Sequence, residues 1–111
     1  MDMQIAVVEN VAHVKLRGRL DTHGVDDIET KLTASVVPSG KNTVVVLSDV
    51  SFIASMALRM FLSISKALRR HNAKMVLFAP QPQAKEVFES AHLSSVVLIV
   101  DTEADALALI S

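Results

Sequence analysis

Hydrophobic positions along the chain fall into two rhythms. Residues 3 to 8 form a short apolar run, and Glu9-Asn10 follows as a tight turn. From 11 to 17 the pattern alternates: Ala12, Val14 and Leu16 point one way, His13, Lys15 and Arg17 the other. Period-two alternation describes a strand with one face in water, so the first two strands should form an antiparallel hairpin. Gly18-Arg19-Leu20-Asp21-Thr22 breaks the alternation and leads into a helix. Val25, Ile28, Leu32 and Val36 then recur on one helical face, with Asp26, Asp27 and Glu29 toward the N-terminal end, where the helix dipole favours anions. Pro38-Ser39-Gly40 ends that helix.

The later strands do not alternate. Residues 43 to 47, Met75 to Phe78 and Val96 to Val100 are unbroken apolar runs. Strands covered on both faces read this way, and in βαβ units they are parallel. All three are expected to be central, with the hairpin at the side. A helix from about 55 to 70 supplies one crossover. A second, about 82 to 91, carries Ala84, Val87, Phe88 and Ala91 at helical spacing, with Pro82 in its first turn. A short last helix over 103 to 110 follows Asp101-Thr102, either of which can cap it. The expected architecture is one α/β domain over 1–111, with a mixed, mostly parallel sheet, an N-terminal β-hairpin and the order ββαβαβαβα.

One stretch concentrates the functional question. Between the strand at 43 to 47 and the helix, Ser48 to Ala54 reads as a joint, and it delivers Ser55 to the helix N-terminus. Backbone N–H groups lack intrahelical partners there, and the dipole presents its positive end. Ser55 can cap the helix, contributing about 1 kcal/mol, or it can carry a phosphate that the helix end stabilises. Arg59 lies one turn on, within reach of a phosphate or a partner carboxylate. Asp21 and His23 either belong to the same surface or serve as a cap and a solvated loop. Met56 and Met60 are either exposed contacts or core filler.

Composition removes several alternatives. The net charge is −1, with four Phe and no Trp or Tyr. This argues against electrostatic or stacking recognition of nucleic acid and against attraction to an anionic membrane. There is no cysteine, hence no disulfide, thiol nucleophile or thiolate metal site. His13, His23, His71 and His92 show no metal-ligand spacing and read as surface residues. No metal or cofactor is expected. No apolar run approaches the ~20 residues that span a bilayer, and the N-terminus lacks a targeting segment, so the expectation is a soluble, cytoplasmic protein. Ser55 lacks the flanking glycines of a hydrolase elbow. Three glycines in all make no phosphate loop. Asp49 follows a strand as a receiver-domain aspartate does, but the acidic pair and the lysine of such domains are missing, so it reads as a turn residue. No catalytic constellation can be assembled.

The segment Leu47-Ser48-Asp49-Val50-Ser51-Phe52-Ile53-Ala54-Ser55 resembles the central segment of STAS domains, the bacterial anti-sigma factor antagonists (anti-anti-sigma factors). Gly18-Arg19-Leu20-Asp21 resembles the family's Gly-x-Leu-Asp loop. Pro82 to Phe88 resembles its third helix, and Ala91-His92-Leu93 the turn after it. The resemblance implies a non-catalytic interaction module in partner switching. In that scheme the unphosphorylated protein binds an anti-sigma factor that is also a GHKL-type serine kinase, phosphorylation at Ser55 ends the binding, and a PP2C-type phosphatase restores it. The implied partner surface comprises Asp21, Thr22, His23, Ser51, Ala54, Ser55, Met56 and Arg59, within segments 18 to 24 and 51 to 59. The chain departs from the family at the site: Ala54 stands for Asp, Met56 for the second Ser or Thr, and Ala57 for Gly. An alternative is a STAS-like scaffold, or a subunit of a transport or signalling complex, that is never phosphorylated. Oligomeric state, pathway and the particular kinase are left open.

Overall fold

The computed structural model describes residues 1–92 and 97–110. Its elements run β1 (Asp2–Val8), β2 (Val11–Leu20), α1 (Thr22–Val36), β3 (Asn42–Ile53), α2 (Ser55–Arg69), β4 (Met75–Phe78), α3 (Pro82–Ser90), β5 (Leu98–Val100) and α4 (Glu103–Ile110). The strands form one sheet in the order β1-β2-β3-β4-β5. Among the described strands only the β1–β2 pair is antiparallel. The hairpin closes through Glu9 and Asn10, both with positive φ (50° and 65°). Such two-residue turns match the twist of the flanking strands, and asparagine tolerates the conformation.

The alternating strand β2 buries Ala12, Val14 and Leu16 as expected. On that face α1, α2 and α3 cover the sheet, and Leu20, Leu32, Leu47, Ile53, Phe61 and Phe88 fill the main core. Met60 belongs to this core as well. The opposite face is covered by α4, whose Ala106 packs with Val44, Val76 and Phe78. This layering puts the N-terminus of α2 at the end of the sheet where β2 and β3 finish.

Four expectations change. β2 continues through Gly18 to Leu20, and β3 continues through the expected joint to Ile53. The two strands stay paired across register shifts as far as Leu20 and Ile53. Ser51 therefore lies in a strand. The strand expected over 96 to 100 is described only at Leu98–Val100, Val96 falling outside the described residues; it is the sheet edge, half-buried, and not central. Its single neighbour among the described strands is β4. Helix α1 begins at Thr22, so Asp26, Asp27 and Glu29 lie beyond its first turn.

Candidate functional site

β3 outlasts its neighbour. β4 pairs with it only from Thr43 to Val46, so the groups that β3 presents on that side from Leu47 onward need other partners. Side chains of the α3 start supply them. Gln81 Nε2 donates to the Ser48 carbonyl at 2.8 Å. Gln83 works in both directions: its Oε1 accepts from Ile53 N–H at 3.0 Å, and its Nε2 donates to the Ile53 carbonyl at 3.2 Å. On the other side, Ala54 N–H donates to the Leu20 carbonyl at 2.9 Å. The two residues before α2 are thus held from opposite sides, Ile53 by Gln83 and Ala54 by Leu20.

Ala54, extended at φ −103° and ψ 169°, is the N-cap of α2. Ser55 is the first helical residue, and the cap makes no side-chain hydrogen bond. The capping role open to Ser55 in the sequence is therefore not taken. An N-cap must precede the helix in extended geometry, and Ala54 occupies that place. The Ser55 side chain is exposed. Met56 is exposed too, at 39%, and Arg59 projects to solvent one turn later. Ala57, by contrast, is fully buried.

The second segment meets the first through the Ile53–Leu20 pairing and the Ala54–Leu20 bond. Asp21 is the N-cap of α1, its Oδ1 accepting from Gly24 N–H at 2.9 Å. Arg19 Nε stands 3.6 Å from Asp21 Oδ2, and the Arg19 guanidinium lies 4.5 Å over the Phe52 ring. The Gly24 hydrogen bond above all, with help from Arg19, holds the Asp21 carboxyl below its ordinary pKa. Thr22 and His23 are exposed on the first turn of α1. Ser51 Oγ donates to the Gly18 carbonyl at 3.4 Å. Gly24 is set against backbone: a Cβ there would stand 1.9 Å from the Arg19 carbonyl oxygen.

Beside Ser55 a groove of about 540 Å³ opens between α2 and α3, lined by Ser55, Leu58, Gln83, Glu86, Val87 and Ser90. The sequence pointed to Ser55, Arg59 and Asp21 but not to Gln81, Gln83 or Glu86. The only trace of the clamp in the sequence is a glutamine on either side of Pro82. Among the described residues no group of three His, Asp or Glu side chains could hold a metal ion, and no helix is long and apolar enough to cross a membrane.

A small mixed sheet with three helices on one face, one on the other, and an exposed serine opening the central crossover helix defines a class of small α/β domain. The chain belongs to the STAS domain family, whose model matches residues 2–106. It is 25% identical over 108 residues to BtrV of Bordetella bronchiseptica, provisionally named an anti-sigma factor antagonist, covering 97% of this chain and 93% of that one. Its fold matches an anti-sigma factor antagonist from Mycobacterium paratuberculosis (TM-score 0.88, 20% identity, 98% and 92% of the two chains). It also matches the unphosphorylated form of the anti-sigma factor antagonist SpoIIAA (TM-score 0.78, 21% identity, 97% and 95%). The phosphorylated form of the Bacillus protein SpoIIAA matches at a TM-score of 0.70 with 22% identity, over 97% and 98%.

Proposed function

We propose that the protein is an anti-sigma factor antagonist that works by partner switching. Unphosphorylated, it binds an anti-sigma factor that is also a GHKL-type serine kinase. Phosphorylation at Ser55 releases it, and a PP2C-type phosphatase resets it. The observation that carries the reading is the state of Ser55: first residue of α2, exposed, its hydroxyl bonded to no described residue, at the position that the resemblance to the family implies for the phosphoacceptor. A hydroxyl with no structural duty is open to a kinase. A phosphate there is tolerated by the fold, since free N–H groups and the dipole of the α2 N-terminus favour it by ~0.3–1 kcal/mol.

Binding responds in the opposite sense. Asp21, Thr22, His23, Ser51, Ala54, Met56 and Arg59 surround this end of the sheet and form the proposed contact. A dianion set into a packed contact must be desolvated, which costs a few kcal/mol, or roughly ten- to several-hundred-fold in affinity. The test is incubation with ATP and the GHKL-type kinase of the same genome, followed by mapping of the phosphate by mass spectrometry. Modification of Ser55, with loss of kinase binding in Ser55→Asp, is the expected result. A kinase that binds the protein tightly yet leaves Ser55 unmodified sinks the switch. That outcome would favour the scaffold reading, in which Ala54, Met56 and Ala57 mark a site that no longer takes phosphate.

A further inference from the structure

We infer that the outward face of α2 is a docking ridge for an acidic helix of a partner protein. Helix α2 and its C-cap carry Arg59, Lys66, Arg69 and Arg70 and no carboxylate, in a chain whose net charge is −1. At 100° per residue, Ser55, Arg59, Lys66 and Arg70 fall within about 60° of arc. All four are exposed. Arg70 keeps helical geometry (φ −64°, ψ −22°), so it continues the stripe. Arg59, Lys66 and Arg70 make no ion pair with a described residue.

The helix dipole accounts for cations in the last turn but not for Arg59 near the positive end. Nor does the helix neutralise its own charge. The positions four residues from Arg59 hold Ser55 and Ser63, and those four from Lys66 hold Leu62 and Arg70. Lys66 and Arg70 thus form a like-charge i, i+4 pair, which opposes the free helix. A partner carboxylate on the ridge removes that repulsion.

The flanks select the shape of the partner. α2 lies between α1, against which it packs, and α3, which it meets through Phe61 and Phe88 at 6.2 Å and across the groove. α1 exposes Asp26, Asp27 and Glu29 against Lys31, with Asp27 paired to the N-terminal amine, and α3 exposes Glu86 and Glu89 against Lys85, so both flanks are net acidic. A flat polyanion such as duplex DNA or an anionic membrane would set its charges against those flanks as well as the ridge. A single acidic helix would not. From Arg59 to Arg70 the ridge runs about 16 Å, so glutamates at i, i+4, i+7 and i+11 of a partner helix match it. A phosphate on Ser55 would stand at the head of the same stripe, one turn from Arg59, and compete for it; this link alone rests on the switch proposed above.

The probe is an 18-residue helical peptide carrying four glutamates at that spacing, with a glutamine version as control, titrated into ¹⁵N-labelled protein. Expected are amide shifts centred on α2, affinity that falls with added salt, no binding of the glutamine peptide, and at least a tenfold loss in Lys66→Glu/Arg70→Glu. Lys66→Gln/Arg70→Gln, which removes charge without reversing it, should lose about half that effect on a logarithmic scale. Equal binding by wild type and both double variants overturns the ridge, as does tighter binding of a 20-base-pair duplex or of phosphatidylglycerol vesicles than of the peptide. Peptide binding by a protein that no kinase modifies keeps the ridge and removes the switch; phosphorylation of Ser55 without peptide binding does the reverse.

Discussion

Gln83→Leu tests how the candidate site is held. The glutamine amide gives one hydrogen bond to Ile53 N–H and one to the Ile53 carbonyl, at 3.0 and 3.2 Å. Leucine keeps most of the volume and neither bond. Each such bond is worth about 0.5–1.5 kcal/mol net, and an unmatched buried group costs the larger figure. Ile53 is 1% exposed, which limits rescue by water. The expected loss is about 2 kcal/mol, or a fall in Tm of roughly 8 °C for a domain of this size. Gln81→Leu is the internal comparison. It removes one exposed bond, to the Ser48 carbonyl, and should cost under ~1 kcal/mol. Urea unfolding gives the two stabilities. Native-state hydrogen exchange gives the local effect, since Ile53 N–H should lose protection in Gln83→Leu while the amides of β4 keep theirs. Equal stability losses in the two variants, or an Ile53 amide as protected as in wild type, would refute the clamp.

Gly24→Ala should cost about 1–3 kcal/mol in urea unfolding, because a Cβ 1.9 Å from the Arg19 carbonyl oxygen forces α1 off the end of β2; a stability gain, as helix propensity alone would give, contradicts this. Ser65→Ala should stabilise by about 0.5–1 kcal/mol in the same assay, since the Ser65 hydroxyl is buried with no partner among the described residues. Ser55→Ala should melt within ~0.5 kcal/mol of wild type by calorimetry, because no cap bond is lost. Asp21 has a depressed pKa, so its contribution is present above the ordinary aspartate value and is lost as pH falls through the lower folded value. Asp21→Asn, which can still cap, should therefore show a smaller drop in urea midpoint between pH 6 and pH 3 than wild type does.

Legibility tracked how local the determining interactions are. The alternation of Ala12, Val14 and Leu16 fixes the inward face of β2 without outside help, and Glu9-Asn10 carries its own turn geometry. The extension of β3 was hidden because Ser48, Asp49 and Ser51 interrupt the apolar run. What completes it lies elsewhere: pairing with Gly18 to Leu20 on one side, and glutamines about thirty residues later on the other. No local pattern announces such a partnership. β5 misled for a different reason. An unbroken apolar run marks cover on both faces, and Leu98, Ile99 and Val100 do reach both cores, but cover on two faces says nothing about whether a strand lies on the other edge. Ser55 was placed within one residue; cap or first helical position turned on the backbone of Ala54, which residue type does not set.

That one-residue difference bears on what the site can do. The start of α2 is fixed by the Ala54–Leu20 bond, the Gln83 clamp on Ile53 and the burial of Ala57, none of which uses the Ser55 side chain. A capping serine would have tied the hydroxyl to the fold, so that modifying it would loosen the helix and alter binding together. At the first helical position the hydroxyl is released from that duty, and a charge placed on it acts on whatever approaches the surface. The departures from the family at Ala54, Met56 and Ala57 count against phosphate at Ser55 while leaving the acceptor in place. Ala57 fills a buried position that glycine would leave empty, which firms the helix beneath the site, while Met56 adds exposed apolar surface beside it. The start of α2 is thus held without the Ser55 hydroxyl, which is the arrangement that the proposed switch needs.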